Sequence, residues 1–405
     1  MERSKESIKQ WRLMALLVCS ILFALMLGEI VIRSIGHSDE DGNFYVNTLK
    51  CYPYHLQAKI QRIESNKYFA SKNPSKIYDR NLGWVPRPGS KSRDGLYFYN
   101  EDAIRTPSLD TITSKTPSLG VIRILIFGDS YTHGDGVPFL NTWGHYLEND
   151  LKEHNINAEV LNFGVGGYGM DQAFLRWKAE GRSYKPSIVI FGMQLENMNR
   201  NVNLIRRIYA PGSGIPFAKP RFILKNGNLS LINVPTPDSQ EIVDIMNHFS
   251  SWNLAKYEDW YKPEEYQGNI LLRSKLIAFV YSWFKDKNEG HRTYDKDFEK
   301  LSLKIITSFK EDVESAGVKF YVIYLPSKNV MNLIKTKKMI PYKSFFEKLE
   351  GTVPIIHPEA QFLKEAVDIE KFIPLHYSPQ ANKTVADVVA DFILQRMAGT
   401  DRENK

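Results

Sequence analysis

The apolar positions of this chain fall into three regimes. From Trp11 to Ile32 they run almost unbroken, with only Arg12 and Glu29 interrupting. From residue 37 to 119 they thin out, and Tyr, Pro and Gly take over. Beyond 120, short apolar blocks alternate with amphipathic stretches, which is how buried strands and their crossover helices read in a parallel sheet. The pattern predicts strands at 121–127, 158–162, 187–191 and 318–324 and near 353–356, with helices near 141–154, 170–181, 296–315 and 379–396. The implied class is α/β, a flavodoxin-like three-layer α/β/α core with a parallel sheet.

The pattern also divides the chain. Residues 1–36 form a cytoplasmic stub and membrane segment, 37–119 an accessory lobe, 120–397 the main domain and 398–405 a tail. Within the main domain an insertion covers about 202–295. It is punctuated by Pro211, Pro216, Pro220, Pro235 and Pro237 and contains one hydrophobic helix, ILLRSKLIAFVYSWF (270–284). That helix is too short to span a bilayer and reads as packed rather than lying on a membrane surface.

The first segment sets location. Leu13 to Ile32 is twenty residues, about the length of a bilayer span, and Arg3, Lys5 and Lys9 precede it. A single-pass anchor with a cytoplasmic N-terminus and a periplasmic or extracellular body follows. The competing reading is a cleaved signal peptide, for which Ser34-Ile35-Gly36 is a weak site.

Charge and cysteine content narrow the chemistry. The net charge of +7 comes from 53 basic and 46 acidic residues spread without a basic block. That gives no reason to invoke nucleic acid. Of two cysteines, Cys19 lies in the apolar segment, which leaves Cys51 without an internal disulfide partner in an exported body. The nine histidines are scattered without metal-ligand spacing, and neither a metal nor a cofactor is expected.

The candidate nucleophile is Ser130, in VIRILIFGDSYTHGDG (121–136). There the first strand breaks at Gly128 and delivers Asp129 and a hydroxyl at the carboxyl edge of the sheet, where open α/β folds bind ligands. The same tripeptide is also ordinary turn chemistry. Three later blocks add to it. They are NFGVGGYGMDQ (162–172), GMQLENMNRN (192–201) and FIPLHYSPQANKTVADVVADFI (372–393), each at a predicted strand end or helix start.

This order resembles the SGNH, or GDSL-type, hydrolase superfamily, and among its members anchored polysaccharide O-acetyl esterases and transferases. The resemblance covers roughly 120–200 and 315–395. It implies Ser130 as nucleophile and His376 as base, with an oxyanion hole from the amides of Ser130 and Gly167 and the side chain of Asn197. Asn197 is followed by Met198 where the family usually has Asp. The family's acid, three residues before the histidine, is replaced by Ile373. Asp368, or Glu370, is the nearest upstream substitute; otherwise the pair works as a dyad.

The expected reaction is ester hydrolysis through an acyl-serine, on O-acetyl or other short acyl esters of a surface polysaccharide. One alternative is an O-acetyltransferase using the same site with a membrane acyl-donor protein as partner. A second is an inactive glycan-binding module. His133, three residues after Ser130, is a candidate substrate contact or a hydrogen-bonded residue at a helix start. Arg200, Arg206, Arg207, Tyr209 and Trp252 are candidates for touching a sugar chain, since guanidinium groups and aromatic faces suit carbohydrate and anionic glycans; otherwise they are solvated surface.

Overall fold

The structure, a computed structural model, describes residues 2–71, 74–288, 296–338 and 342–403. Two compact units are present. The first comprises Met1–Glu64, Val243–Ala255 and Asp259–Thr293, and the second Ser65–Ile242, Lys256–Glu258 and Tyr294–Lys405.

In the second unit five strands run parallel: β1 (Ile122–Gly128), β2 (Ala158–Asn162), β3 (Ile188–Met193), β4 (Lys319–Tyr324) and β5 (Ile355–Ile356). Their order is β2-β1-β3-β4-β5. This is the flavodoxin-like arrangement, and its switch point lies between β1 and β3. Three short antiparallel strands, Arg105–Thr106, Phe98–Tyr99 and Ser90–Lys91, extend the sheet beyond β2.

Alternate residues of β1 feed opposite layers. Ile124 and Ile126 join a core with Trp143 and Leu147 of α2 (Trp143–Glu153) and with Val385 and Val389 from Pro379–Glu403, the last helix. Phe127 faces the other way, edge-on to Trp177 of α3 (Met170–Ala179) and to Phe309 from Lys296–Glu314. Helices therefore cover both faces, as a fully buried parallel sheet requires. Trp143 and Trp177 are completely buried, and truncating either to Ala would cost roughly 3–5 kcal/mol.

The stretch from 37 to 119 is not one lobe. Residues from Ser65 onward belong to the second unit, because Arg105 pairs with Asn162 at the edge of β2 and Trp84 is fully buried there. The expected insertion is likewise shared, with Val243–Ala255 and Asp259–Thr293 in the first unit.

The first unit contains the helix Glu2–Ile35, whose stretch Lys9–Ile35 is long and apolar enough to cross a membrane and is almost wholly exposed. A small core of Ile32, Phe44, Val46, Cys51, Tyr52, Leu272 and Ala278 holds this unit together. The hydrophobic helix of the insertion is Lys275–Asn288. It buries Ala278 and Ser282 but leaves Val280, Tyr281, Trp283 and Phe284 exposed, so it is packed on one face only.

Candidate active site

Gly128 ends β1 in register with Gly192 of β3. A Cβ on Gly128 would stand 2.6 Å from the Gly192 carbonyl oxygen, so only glycine lets the two strand ends approach this closely. The chain then turns directly into a single helical turn, α1 (Ser130–His133). Asp129 caps it by accepting the Tyr131 amide at 2.9 Å.

Ser130 thus sits at the switch point of the sheet. His376 meets it there: Nε2 is 2.9 Å from Ser130 Oγ, although 246 positions separate them. The loop carrying His376 is held from several sides. Tyr131 packs its ring 5.2 Å from the imidazole and donates its hydroxyl to the Leu375 carbonyl at 3.1 Å. Lys328 Nζ donates to the Pro374 carbonyl at 3.0 Å, and the Ser378 amide to the Phe372 carbonyl at 3.1 Å.

Asp368 does not serve His376. Its carboxylate accepts the amides of Glu370 and Lys371 and caps the short helix Ile369–Phe372. Glu370 pairs with Lys328 at 2.7 Å. Among the described residues no carboxylate hydrogen-bonds His376, whose imidazole meets Ser130 instead. The acid that does feel His376 is Asp135. Burial raises this carboxyl, but His133, Lys76 and His376 outweigh it and hold it well below the usual carboxylate range.

Asn197 lies beside Ser130 but is fully engaged. Its Oδ1 accepts the Gln194 amide at 2.8 Å, and its Nδ2 donates to Asp129 Oδ2 at 3.0 Å and to the Tyr168 carbonyl at 3.3 Å. Both amide hydrogens are committed to bracing the turn, and neither is left for an oxyanion. Arg200 shares that task. It is 5% exposed, and its Nη1 donates to Asp129 Oδ2 at 2.8 Å and the Tyr168 carbonyl at 3.0 Å, while Nη2 pairs with Glu196 at 3.0 Å. Arg200 is therefore a buried brace and not a substrate contact.

His133 is also withdrawn from substrate, being 2% exposed. Its Nδ1 lies 2.5 Å from Asp135, which can only accept, so Nδ1 carries the proton and Nε2 accepts the Tyr99 hydroxyl at 2.9 Å. Burial, with the charge of Arg105 beside it, lowers its pKa to about 4 against the opposing pull of Asp135. Arg105 Nη1 donates to the His133 and Gly134 carbonyls and Nη2 to that of Val137, tying down the segment after Ser130.

The glycine loop completes the site. Gly167 adopts φ 89°, a conformation that side chains rarely tolerate, and a Cβ there would meet Ile215 at 2.8 Å. Trp84 Nε1 donates to the Gly166 carbonyl at 3.3 Å, and the Tyr168 hydroxyl to the Trp84 carbonyl at 2.7 Å. Trp84 lies on the hairpin Lys76–Asp79/Gly83–Pro86, which consequently holds the loop. Among the described residues neither the Ser130 nor the Gly167 amide hydrogen has an acceptor.

Of the other candidates, Tyr209 donates its hydroxyl to Glu196 at 2.9 Å, and Trp252 packs on Phe249 in the first unit. Arg206 is buried, at 6% exposure. Among the described residues no group of three or more His, Cys, Asp or Glu is arranged to hold a metal ion. Sequence reasoning missed Tyr99 and Arg105, which enter the site through strand pairing at the far edge of the sheet, and Lys76, which begins a separate two-stranded hairpin.

No family model matches this chain, and no curated protein matches it. Among solved structures it is similar to an acetyl xylan esterase at 13% identity, covering 67% of this chain and 100% of that one with a TM-score of 0.37. It is also similar to a psychrotrophic esterase from Pseudoalteromonas (12%, 68% and 98%, TM-score 0.35). A third is an acetylxylan esterase from Geobacillus stearothermophilus (12%, 66% and 92%, TM-score 0.35). Likenesses at this level decide nothing about activity, which has to come from the geometry.

Proposed function

We propose that this chain is a membrane-anchored serine ester hydrolase of the SGNH type, acting through Ser130 and His376. The observation that carries the reading is the 2.9 Å approach of His376 Nε2 to Ser130 Oγ at the switch point of a parallel sheet. Neutral imidazole takes the serine proton as Oγ attacks an acyl carbonyl. The negative charge that develops on the carbonyl oxygen is met by the Ser130 and Gly167 amides, each such donor being worth about 3–4 kcal/mol of barrier. The imidazolium then protonates the departing alkoxide, and water attacks the acyl-serine with the histidine again as base. Asn197 and Arg200 act one step back, by fixing Asp129 and the Tyr168 carbonyl on either side of the pocket.

The substrate we infer is an O-acetyl or short acyl ester of a surface polysaccharide. It is supported by the four sequence blocks and by the Arg206 guanidinium next to Gly167. Purified protein given an acetylated oligosaccharide should release acetate into water. Release that occurs only with a sugar acceptor present would instead assign transferase chemistry, and no release from any acyl ester would overturn the reading.

Retention of the N-terminal helix is part of this proposal. Glu29 accepts from Ser274 Oγ at 2.7 Å and from the amides of Lys275 and Leu276 at 3.0 and 2.8 Å, so it caps the helix Lys275–Asn288. Gly28 lies directly against Leu276. A segment wired into its own unit in this way suits an anchor better than a cleaved signal. Sequencing the N-terminus of membrane-fraction protein tests this, and a start beyond Ile35 would contradict it.

A further inference from the structure

Two cations, Lys76 and Arg206, converge on the glycine loop beside Ser130. A Cβ on Gly166 would stand 3.1 Å from Asp135 Oδ2 and 3.6 Å from Lys76 Nζ, and one on Gly167 would stand 3.9 Å from the Arg206 guanidinium carbon. Arg206 Nε and Nη1 are buried and have no hydrogen-bond partner among the described residues. Buried donors left without an acceptor are uncommon and costly, and they call for a missing partner. The neighbouring acids are already engaged. Asp135 holds His133 at 2.5 Å through Oδ1 and also attracts Lys76, Glu196 holds Arg200 and Tyr209, and Asp129 holds Arg200 and Asn197.

The two groups are also rigidly presented. The Arg206 amide donates to the Phe217 carbonyl at 3.1 Å, and the Leu204 and Ile205 amides donate to the buried Glu258 carboxylate at 2.7 and 3.0 Å. Lys76 begins the hairpin strand, where the Tyr68 hydroxyl donates to its carbonyl at 2.9 Å. Burial and the charge of Arg200 depress Arg206 to about 10, and burial, with Arg206 adding to it, depresses Lys76 against the pull of Asp135. An anion against the unpartnered Arg206 donors, with Lys76 close by, would supply the missing acceptor.

We propose that Lys76 and Arg206 form a subsite for the carboxylate of an acidic sugar, placing a uronate residue of the glycan next to the ester that Ser130 attacks. This rests on the Ser130 reading and narrows its substrate to acidic polysaccharide esters. Arg206 supplies planar donors suited to a carboxylate, and Lys76 a point charge. Ser75, beside Lys76, lines an open cleft of about 640 Å³ with Arg93 and Tyr97 on its wall, room enough for flanking sugars.

The test reads binding, so that it does not depend on turnover. Calorimetry on full-length Ser130→Ala protein in detergent compares trigalacturonate, xylotriose and inorganic sulfate. The expected result is binding of trigalacturonate at least tenfold tighter than xylotriose, weakened about tenfold to a hundredfold by Arg206→Gln and by Lys76→Gln. If Arg206→Gln fails to fold, Lys76→Gln and the comparison of the two sugars still decide. Equal binding of both sugars, unchanged trigalacturonate affinity in the variants, or binding of sulfate alone overturns the proposal. Hydrolysis of p-nitrophenyl acetate by the unmutated protein is read separately. Its absence would defeat the Ser130 reading and leave the binding result standing.

Discussion

His376 Nε2 lies 2.9 Å from Ser130 Oγ, and the ring of Tyr131, next to the serine, packs against the same imidazole while its hydroxyl holds the Leu375 carbonyl. The residue after Ser130 therefore positions the imidazole of His376. On the proposed mechanism, this coupling would supply the orientation that a third, acidic partner gives in a triad. Tyr131→Phe keeps the ring and removes the hydroxyl, so the His376 loop loses one tether. Turnover of an activated ester should fall several-fold with KM little changed, and an unchanged kcat would show that packing alone orients the ring.

Asp368 is spent on a helix cap. Asp368→Asn retains a capping side chain, so turnover should stay within about twofold of the unmutated protein. Asp368→Ala should cost about 1 kcal/mol of stability in a denaturant titration. A loss of turnover on the order of a hundredfold in Asp368→Asn would instead restore it as the triad acid.

Arg200 neutralises Asp129, and both are buried. Removing one partner of such a pair strands the other charge, at roughly 3–5 kcal/mol. Arg200→Met should therefore lower thermal stability sharply. A variant that melts normally and shows only a raised KM would mark Arg200 as a substrate contact after all.

His133 makes stability depend on pH. Its folded-state pKa is depressed from 6.5 to about 4, so below pH 6.5 the unfolded chain takes up a proton that the folded chain refuses. Stability is intact above 6.5 and is lost as pH falls toward 4, by about 3 kcal/mol for this group alone. Asp135 works in a lower window, below the ordinary carboxylate value, because its pKa is also depressed. Chemical denaturation between pH 7 and 4 should show the slope, and His133→Gln should flatten it. An equal slope in both proteins would remove His133 as its source.

The sheet and the meeting of Ser130 with His376 were legible in the sequence because each depends on local pattern. β1, β2 and β3 are short apolar runs, the first ending in Gly128, the second in Asn162 and the third in Gly192-Met193, and His376 stands just ahead of the last helix. What surrounds the pair was not legible. Asn197 was expected to donate to an oxyanion, yet its amide is consumed by Asp129 and the Tyr168 carbonyl, a competition visible only once three loops are brought together. His133 and Arg200 were candidates for touching substrate, but the antiparallel strands at Phe98–Tyr99 and Arg105–Thr106 and the helix Glu196–Arg200 bury them. Lys76 escaped notice because its role depends on a hairpin that carries no catalytic motif and is placed by Trp84 against the glycine loop.

The most direct measurement is the rate at which a fluorophosphonate modifies the protein, followed by mass spectrometry of the labelled peptide. The expected result is a single adduct on Ser130, formed on the order of a thousandfold or more slower in His376→Ala, since the hydroxyl is a weak nucleophile without its base. Labelling at another residue, or equal rates with and without His376, would contradict the account.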